Sequence, residues 1–128
     1  MRIGIDCTAA VRQGAGIGRY TRGLVRALTS LNAHEYVLLV GGAGVAPETV
    51  NEALGAPQRA RTVHLPLSDR TMALLWHRLW LPLPVECVTG PVDVFHSPDF
   101  TLPPTRTPAT VLTVHDLSFL RVPESSDP

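Results

Sequence analysis

The chain has 128 residues, of which 45% are hydrophobic, and its 11 basic and 11 acidic residues cancel. This length predicts a single domain with one core. The absence of net charge argues against a protein that binds nucleic acid through an overall positive field. Cys7 and Cys87 lie far apart in the sequence, without the spacing of a metal site, so we expect two free thiols in a reducing compartment.

Neither end of the chain nor its most apolar stretch predicts a targeting or membrane segment. The N-terminus, MRIGIDC, leaves no room for the apolar region of a signal peptide. The stretch from 72 to 85 is interrupted by His77, Arg78 and two prolines, and is shorter than the roughly 20 residues that span a bilayer. We therefore expect a soluble, cytoplasmic protein.

The first third of the chain predicts a strand, a glycine loop and a helix. Residues 2–7, RIGIDC, form a short apolar run typical of a buried strand. The glycine loop, GAGIG, is defined here as residues 14–18. From Ile17 the apolar positions recur with a helical period, at 17, 20, 24, 28 and 31, and arginines recur on another face at 19, 22 and 26.

The remainder continues to alternate between strand and helix patterns. A short helix is predicted between Pro47, suited to a first turn, and Gly55, suited to the position after the last turn. A second long helix is predicted over about 69–81, ended by prolines. The link from 98 to 108 holds four prolines and predicts an extended loop. The further predicted strands are 36–40, 61–67, 92–97 and 109–116.

This alternation predicts an α/β fold: a doubly wound, Rossmann-like parallel sheet of about five strands with helices on both faces. We expect the strand order 3-2-1-4-5, in which ligands bind beyond the carboxyl ends of the strands, where the winding reverses. Polar residues follow three of the predicted strands at that edge. These are Asp6, then His96, Ser97 and Asp99, and then His115 and Asp116.

The spacing of the glycine loop leaves two interpretations open. The pattern G-x-G-x-G is not the dinucleotide-binding fingerprint, and the chain contains no lysine for a P-loop. The loop could expose backbone N–H groups to an anion or a hydroxyl-rich ligand at the start of a helix, with Arg19 in reach. It could equally supply only the positive φ angles of a turn.

Three stretches together resemble a known family. GIGRYTRGLVRAL, HSPDFTLP and TVLTVHDLSFLRVPE are similar to the N-terminal half of GT-B-fold glycosyltransferases of family four, which are retaining mannosyl- and glucosyltransferases. A Trp- and Leu-rich helix, LLWHRLWLPLPV, lies at the corresponding place. The resemblance covers residues 1–124, and we expect 125–128 to be a frayed tail. It implies transfer of a hexose from a nucleotide-sugar to an acceptor hydroxyl, on a glycan or a lipid-linked acceptor.

The resemblance also implies roles for individual residues. His115 would lie beside the transferred sugar and hydrogen-bond to it, and Asp116 would be its buried neighbour. His96, Ser97 and Asp99 would line the acceptor side. The donor phosphates and the acceptor would be approached by Gly14, Gly16 and Gly18, with a phosphate contact from Arg19. The family implies no cofactor and no protein-bound metal. Without the resemblance, His115 could simply cap a strand end through hydrogen bonds.

In this family a second Rossmann-like domain holds most of the nucleotide, and the chain stops before such a domain. We therefore expect an isolated acceptor-side domain that binds a nucleotide-sugar weakly and does not turn over alone. We expect that C-terminal domain as a partner, and also a second copy of the chain bound through the exposed cleft face. We expect no binding to nucleic acid. Trp76 and Trp80 with Arg70 and Arg78 suggest peripheral contact with the inner membrane face, although the same stripe suits a helix that covers a sheet.

Two other classes of protein compete with the glycosyltransferase. One is a stand-alone nucleotide-binding or regulatory module with the same fold. The other is a structural domain that pairs with a partner through an exposed face of its sheet.

Overall fold

Five parallel strands form one sheet, and their order confirms the predicted doubly wound architecture. The computed structural model describes residues 1–14, 16–67, 70–71, 74–78, 83–106 and 109–116. The strands lie in the order β3-β2-β1-β4-β5. Their bounds are β1 (Arg2–Asp6), β2 (Glu35–Gly41), β3 (Ala60–Leu65), β4 (Val94–Ser97) and β5 (Ala109–Leu112).

Helices cover both faces of the sheet. They are α1 (Thr8–Arg12), α2 (Ile17–Ser30), α3 (Pro47–Leu54) and α4 (Glu86–Thr89), with one turn of π-helix at Leu74–Arg78. The prediction for α3 is confirmed at both ends, because Pro47 occupies the first turn and Gly55 ends the helix with a φ of +66°. No helix in the described part of the chain is long and apolar enough to cross a membrane.

Two apolar cores lie on opposite faces of the sheet, because successive residues of β2 point to opposite sides. Leu38 packs with Ile5 and with Val25 of α2 on the face that α1, α2 and α3 cover. Leu39 packs with Phe95 and Val85 on the other face. β2 is buried along nearly its whole length, as its uninterrupted apolar sequence predicts.

The structure corrects several predicted boundaries. Helices α1 and α4 were not predicted, since segments of five and four residues are too short for a helical period to show. β5 ends at Leu112 rather than at 116. The link between β4 and β5 has no helix in its described residues, 98–106, as its prolines predict.

The buried face of α2 is shifted from the predicted one, although Leu28 of the predicted stripe packs against the core. Gly18, Thr21 and Val25 are fully buried, whereas Tyr20 and Leu31 from the predicted apolar stripe are exposed. Because the residues at 18 and 21 are small, α2 can approach α1 closely. The buried face of α2 is therefore centred on these residues.

Other predictions lie largely outside the described residues. Of the helix predicted over 69–81, only 70–71 and the π-helical turn are described. Trp80 and the side chain of Trp76, on which the membrane hypothesis depends, fall outside the description, as do Met72, the side chain of His77 and residues 117–128.

The close approach of α2 to α1 yields a stability prediction. A Cβ atom at Gly18 would lie 2.7 Å from the Ala9 carbonyl oxygen and closer still to that of Gln13, whereas a Cβ at Gly23 would meet open space. Gly18→Ala should lower the free energy of unfolding by about 1–3 kcal/mol, because backbone atoms must shift. Gly23→Ala, on the same helix, should raise it by up to about 1 kcal/mol through helix propensity.

Urea denaturation of the two variants measures both effects. Equal stability of the Gly18→Ala and Gly23→Ala variants would contradict the close packing of α1 against α2.

Candidate functional site

The carboxyl ends of β1, β4 and β5 meet at one edge of the sheet, called here the rim. Ile5 of β1 pairs with His96 of β4, and His96 pairs with Val111 of β5. Beyond the strands, the Thr113 N–H donates to the Ser97 carbonyl at 3.0 Å. The segments after the three strands therefore lie side by side at the point where the winding reverses, where doubly wound sheets bind their ligands.

At the end of β1, the polar side chains accept hydrogen bonds from backbone N–H groups. An Asp6 carboxylate oxygen accepts a hydrogen bond from the Thr8 N–H at 2.9 Å, at the start of α1. The Thr8 hydroxyl oxygen accepts one from the Gly41 N–H at 2.9 Å and so ties α1 to the end of β2. Cys7 is fully buried between them. Burial, reinforced by the Asp6 carboxylate, raises the pKa of its thiol well above the ordinary value, so the thiol stays protonated.

His115 lies at the rim in contact with two aromatic rings. The rings of Tyr20 and Phe100 meet the imidazole edge-on, with centroids 5.0 Å and 5.9 Å away. Its Nε2 lies 2.6 Å from the Pro98 carbonyl oxygen. Because a carbonyl can only accept, Nε2 carries a proton, and Nδ1 is the acceptor nitrogen of the neutral ring.

Tyr20 connects His115 to the glycine loop. Its ring packs on His115, and its backbone N–H donates to the Gly16 carbonyl at 3.0 Å. The structure therefore brings the glycine loop and His115, which are far apart in the sequence, to the same side of the rim. Sequence analysis assigned Tyr20 to the apolar stripe of α2, whereas 41% of its surface is exposed.

The structure explains why glycine occupies two of the three glycine positions in the loop, and the explanation differs between them. Gly14 is exposed, and a side chain there would meet no neighbour within 4 Å among the described residues. Gly16, which precedes α2, has φ +57° and ψ −118°, a conformation that only glycine adopts readily. Gly18 is buried against the carbonyls of α1. Gly18 is thus explained by packing and Gly16 by backbone conformation, while neither explains Gly14.

The predicted acceptor-side residues form a tight turn after β4. Ser97 is fully buried, and its hydroxyl donates to the carbonyl of Thr101. An Asp99 carboxylate oxygen accepts from the Phe100 N–H at 2.7 Å. Both side chains shape the turn that carries Pro98 and Phe100 to His115. Their effect on the rim is indirect.

His96 is half-buried beside this turn. Its Nε2 lies 2.9 Å from the Thr113 hydroxyl, which joins the ends of β4 and β5. Burial lowers the pKa of His96, because the charged imidazolium loses hydration there. The folded protein therefore favours the neutral ring.

Arg19 and Asp116 are both exposed at the rim side of the chain. For Arg19 this agrees with a residue that could reach a ligand. The expectation that Asp116 is buried is wrong. Asp116 follows β5, an outer strand whose four residues are all exposed, so the sheet offers it no cover.

Sequence analysis missed two residues that build the rim. Phe100 is 52% exposed and packs on His115, but it lies in a loop without periodicity that would have indicated a packing role. Arg22 donates to three backbone carbonyls around the glycine loop. From the sequence it was predicted only to share a face of α2 with Arg19 and Arg26.

A second concave region lies at the opposite end of the sheet. An open groove there is lined by Arg2, His34, Glu35, Arg59 and Asp93. Its charges are of both signs and partly engaged with one another, as in the Arg2–Glu35 pair at 3.9 Å. The groove therefore has no preference for an anionic over a cationic ligand. Within the described ranges, no group of three or more His, Cys, Asp and Glu residues is placed to hold a metal ion.

Comparison of the chain with known protein families, with curated proteins and with solved structures gave no match. The geometry of the rim is therefore the basis for assigning a function.

The lowered pKa of His96 predicts a pH dependence of stability. An unfolded imidazole titrates with a pKa of about 6.5, so on acidification the unfolded chain takes up this proton before the folded one. The stabilisation is complete above that pH and declines as the pH falls below it. His96→Gln should flatten the dependence of the unfolding free energy between about pH 7 and pH 5.

Urea denaturation across this pH range measures the slope, and His64→Gln is the control because His64 is exposed on β3. A slope that is unchanged in the His96 variant, or lost equally in both, would contradict the assignment.

Proposed function

We propose that this chain is the acceptor-side domain of a retaining glycosyltransferase that transfers a hexose, of the mannose or glucose type, from a nucleotide-sugar to an acceptor hydroxyl. One observation carries the proposal: the glycine loop and His115 meet through Tyr20 where the sheet reverses its winding. A donor bound there would contact backbone N–H groups and an imidazole together. This agrees with the roles that the family resemblance implies.

The start of α2 supports a phosphate-bearing ligand. Its first turn contains no acidic residue, and no side chain caps it. Arg19 adds an exposed positive charge in that turn. The N-terminus of a helix favours anions because its N–H groups are unpaired and its dipole is positive there. We assign the donor phosphates to this end of the rim.

His115 is assigned to the transferred sugar. With its Nε2 proton held by Pro98, its Nδ1 can accept a hydrogen bond from a sugar hydroxyl. The rings of Tyr20 and Phe100 both pack on the imidazole and would present apolar surface to the ring of a sugar. We place the acceptor on the Phe100 side, next to the turn after β4.

The rim alone is open, so we propose that a second domain with a Rossmann-like fold holds most of the nucleotide. A helix terminus contributes only about 0.3–2 kcal/mol toward a bound charge, whereas millimolar affinity requires about 4 kcal/mol. We also propose that the enzyme works in the cytoplasm, where reduced thiols persist, because both Cys7 and Cys87 are unpaired.

The outer strand favours a second candidate function, an interaction domain. Val111, Leu112 and Val114 are each more than two-fifths exposed on or just after β5. Such an edge can pair with another chain. This function makes no use of His115 or the glycine loop, so the variants below separate the two candidates.

We predict that His115→Ala removes most of the activity of the protein expressed from its full reading frame. Release of nucleoside diphosphate from UDP-glucose and GDP-mannose, with a glycan or lipid-linked acceptor, should fall by about 100-fold, the effect of losing one well-placed polar contact to a transition state. His64→Ala, on the exposed edge of β3, should leave the rate unchanged.

Thermal midpoints of both variants show whether the fold is retained. Undiminished turnover in a folded His115→Ala variant would assign the histidine to structure alone. The absence of hexose transfer from any donor in the unsubstituted protein would favour the interaction domain.

A further inference from the structure

Arg22 binds the backbone on both sides of the junction between α1 and the glycine loop. One guanidinium nitrogen, Nη1, donates to the Ala10 carbonyl at 2.7 Å and to the Gln13 carbonyl at 2.8 Å. The other, Nη2, donates to the Gly14 carbonyl at 2.9 Å. The side chain is half-buried between α1 and α2. These three hydrogen bonds all go to main-chain oxygens of one short segment.

These bonds determine which way the loop backbone faces. In a planar trans peptide the C=O and the following N–H point in opposite directions. Because the Gln13 carbonyl points at the guanidinium, the Gly14 N–H points away from it. Gly14 itself is exposed, so a ligand can reach this part of the loop. The carbonyl oxygens, which would repel an anion, are turned inward.

Gly18 reinforces the same arrangement. Gly18 packs directly on the carbonyls of Ala9 and Gln13. Two successive turns of α2, those of Gly18 and Arg22, therefore contact this segment. Gly18 makes room for the carbonyls, and Arg22 then binds them. The chain path before α2 is thereby held from the side of α1 and α2, whereas a Cβ atom at Gly14 or Gly16 would meet no described neighbour within 4 Å.

The geometry requires arginine at this position. Three acceptors are reached by two nitrogens of one planar group, whose donors diverge in a fixed fork. A lysine ammonium would keep the positive charge but is a single point of donation. Lysine at 22 therefore separates the contribution of charge from that of orientation.

We infer that Arg22 is the positioning residue of the glycine loop: it holds the carbonyls of Ala10, Gln13 and Gly14 so that the Gly14 N–H is offered to the diphosphate of a donor. Arg22 itself does not contact the ligand. This inference rests on the proposed function for the ligand class, while the ordering of the loop by Arg22 stands on the contacts alone.

Arg26 provides a matched control one turn further along α2. It also donates to main-chain oxygens, those of Ala53 at 3.3 Å and Glu52 at 3.5 Å, but these belong to α3 and are away from the rim. Substituting Arg26 removes an arginine from the same helix without touching the glycine loop.

The test measures loop order and ligand affinity on the same samples of the chain. In the unsubstituted protein, the ¹⁵N order parameter of the Gly14 N–H should be near the rigid value of about 0.85, and in Arg22→Ala and Arg22→Lys it should fall below about 0.6. Titration with inorganic pyrophosphate, UDP-glucose and GDP-mannose, followed by NMR, should show affinity about tenfold lower in both variants. Arg26→Ala should change neither quantity. If Arg22→Ala does not fold, the lysine variant carries the test.

An unchanged order parameter in the Arg22 variants would overturn the inference. So would a mobile loop that binds pyrophosphate as well as before, or an Arg22→Lys variant with full affinity, which would make the effect one of charge. If the unsubstituted chain binds none of the three probes, the donor-binding role proposed for the loop fails, and the order parameters alone decide whether Arg22 orders the loop.

Discussion

The pairing of β1 with β4 at the centre of the sheet is the constraint from which the rim follows. Ile3 pairs with Val94 and Ile5 with His96, so the two strands end at the same level. β2 lies on the other side of β1, and the chain reaches it through α2 on one face of the sheet. The glycine loop and the turn after β4 must then open onto the same crevice. A change of register between these two strands would separate them.

Much of the fold could be predicted because its signals are local. The buried run of β2, the Pro47 start and the Gly55 end of α3, and the prolines after β4 each specify structure within a few residues. The strand order required only the rule that short strand–helix–strand connections give parallel neighbours. α1 was missed because five residues show no period, and the Asp6 carboxylate and Thr8 hydroxyl that support it gave no recognisable capping signature.

The position of the site in the fold could be predicted from the sequence, but the roles of its individual residues could be predicted less well. Chain order and strand ends placed His115 and the glycine loop at one edge, and side-chain contacts then divided the predicted residues. Ser97 is buried, Gly18 packs against the carbonyls of Ala9 and Gln13, and Asp116 is exposed rather than buried. Phe100 and Arg22 act through partners that lie outside their own loop and helix. Contacts of that kind arise only when the chain is folded, so no spacing rule in the sequence reveals them.

The inward-facing carbonyls around Arg22 bear on the entropy of ligand capture. A flexible glycine segment normally loses conformational freedom when a ligand fixes it, and that loss opposes binding. Here part of that freedom is lost during folding, because α1 and α2 already hold the segment that ends at Gly14. An incoming phosphate would meet a backbone whose orientation is set in advance, and its binding free energy would be diminished less by ordering.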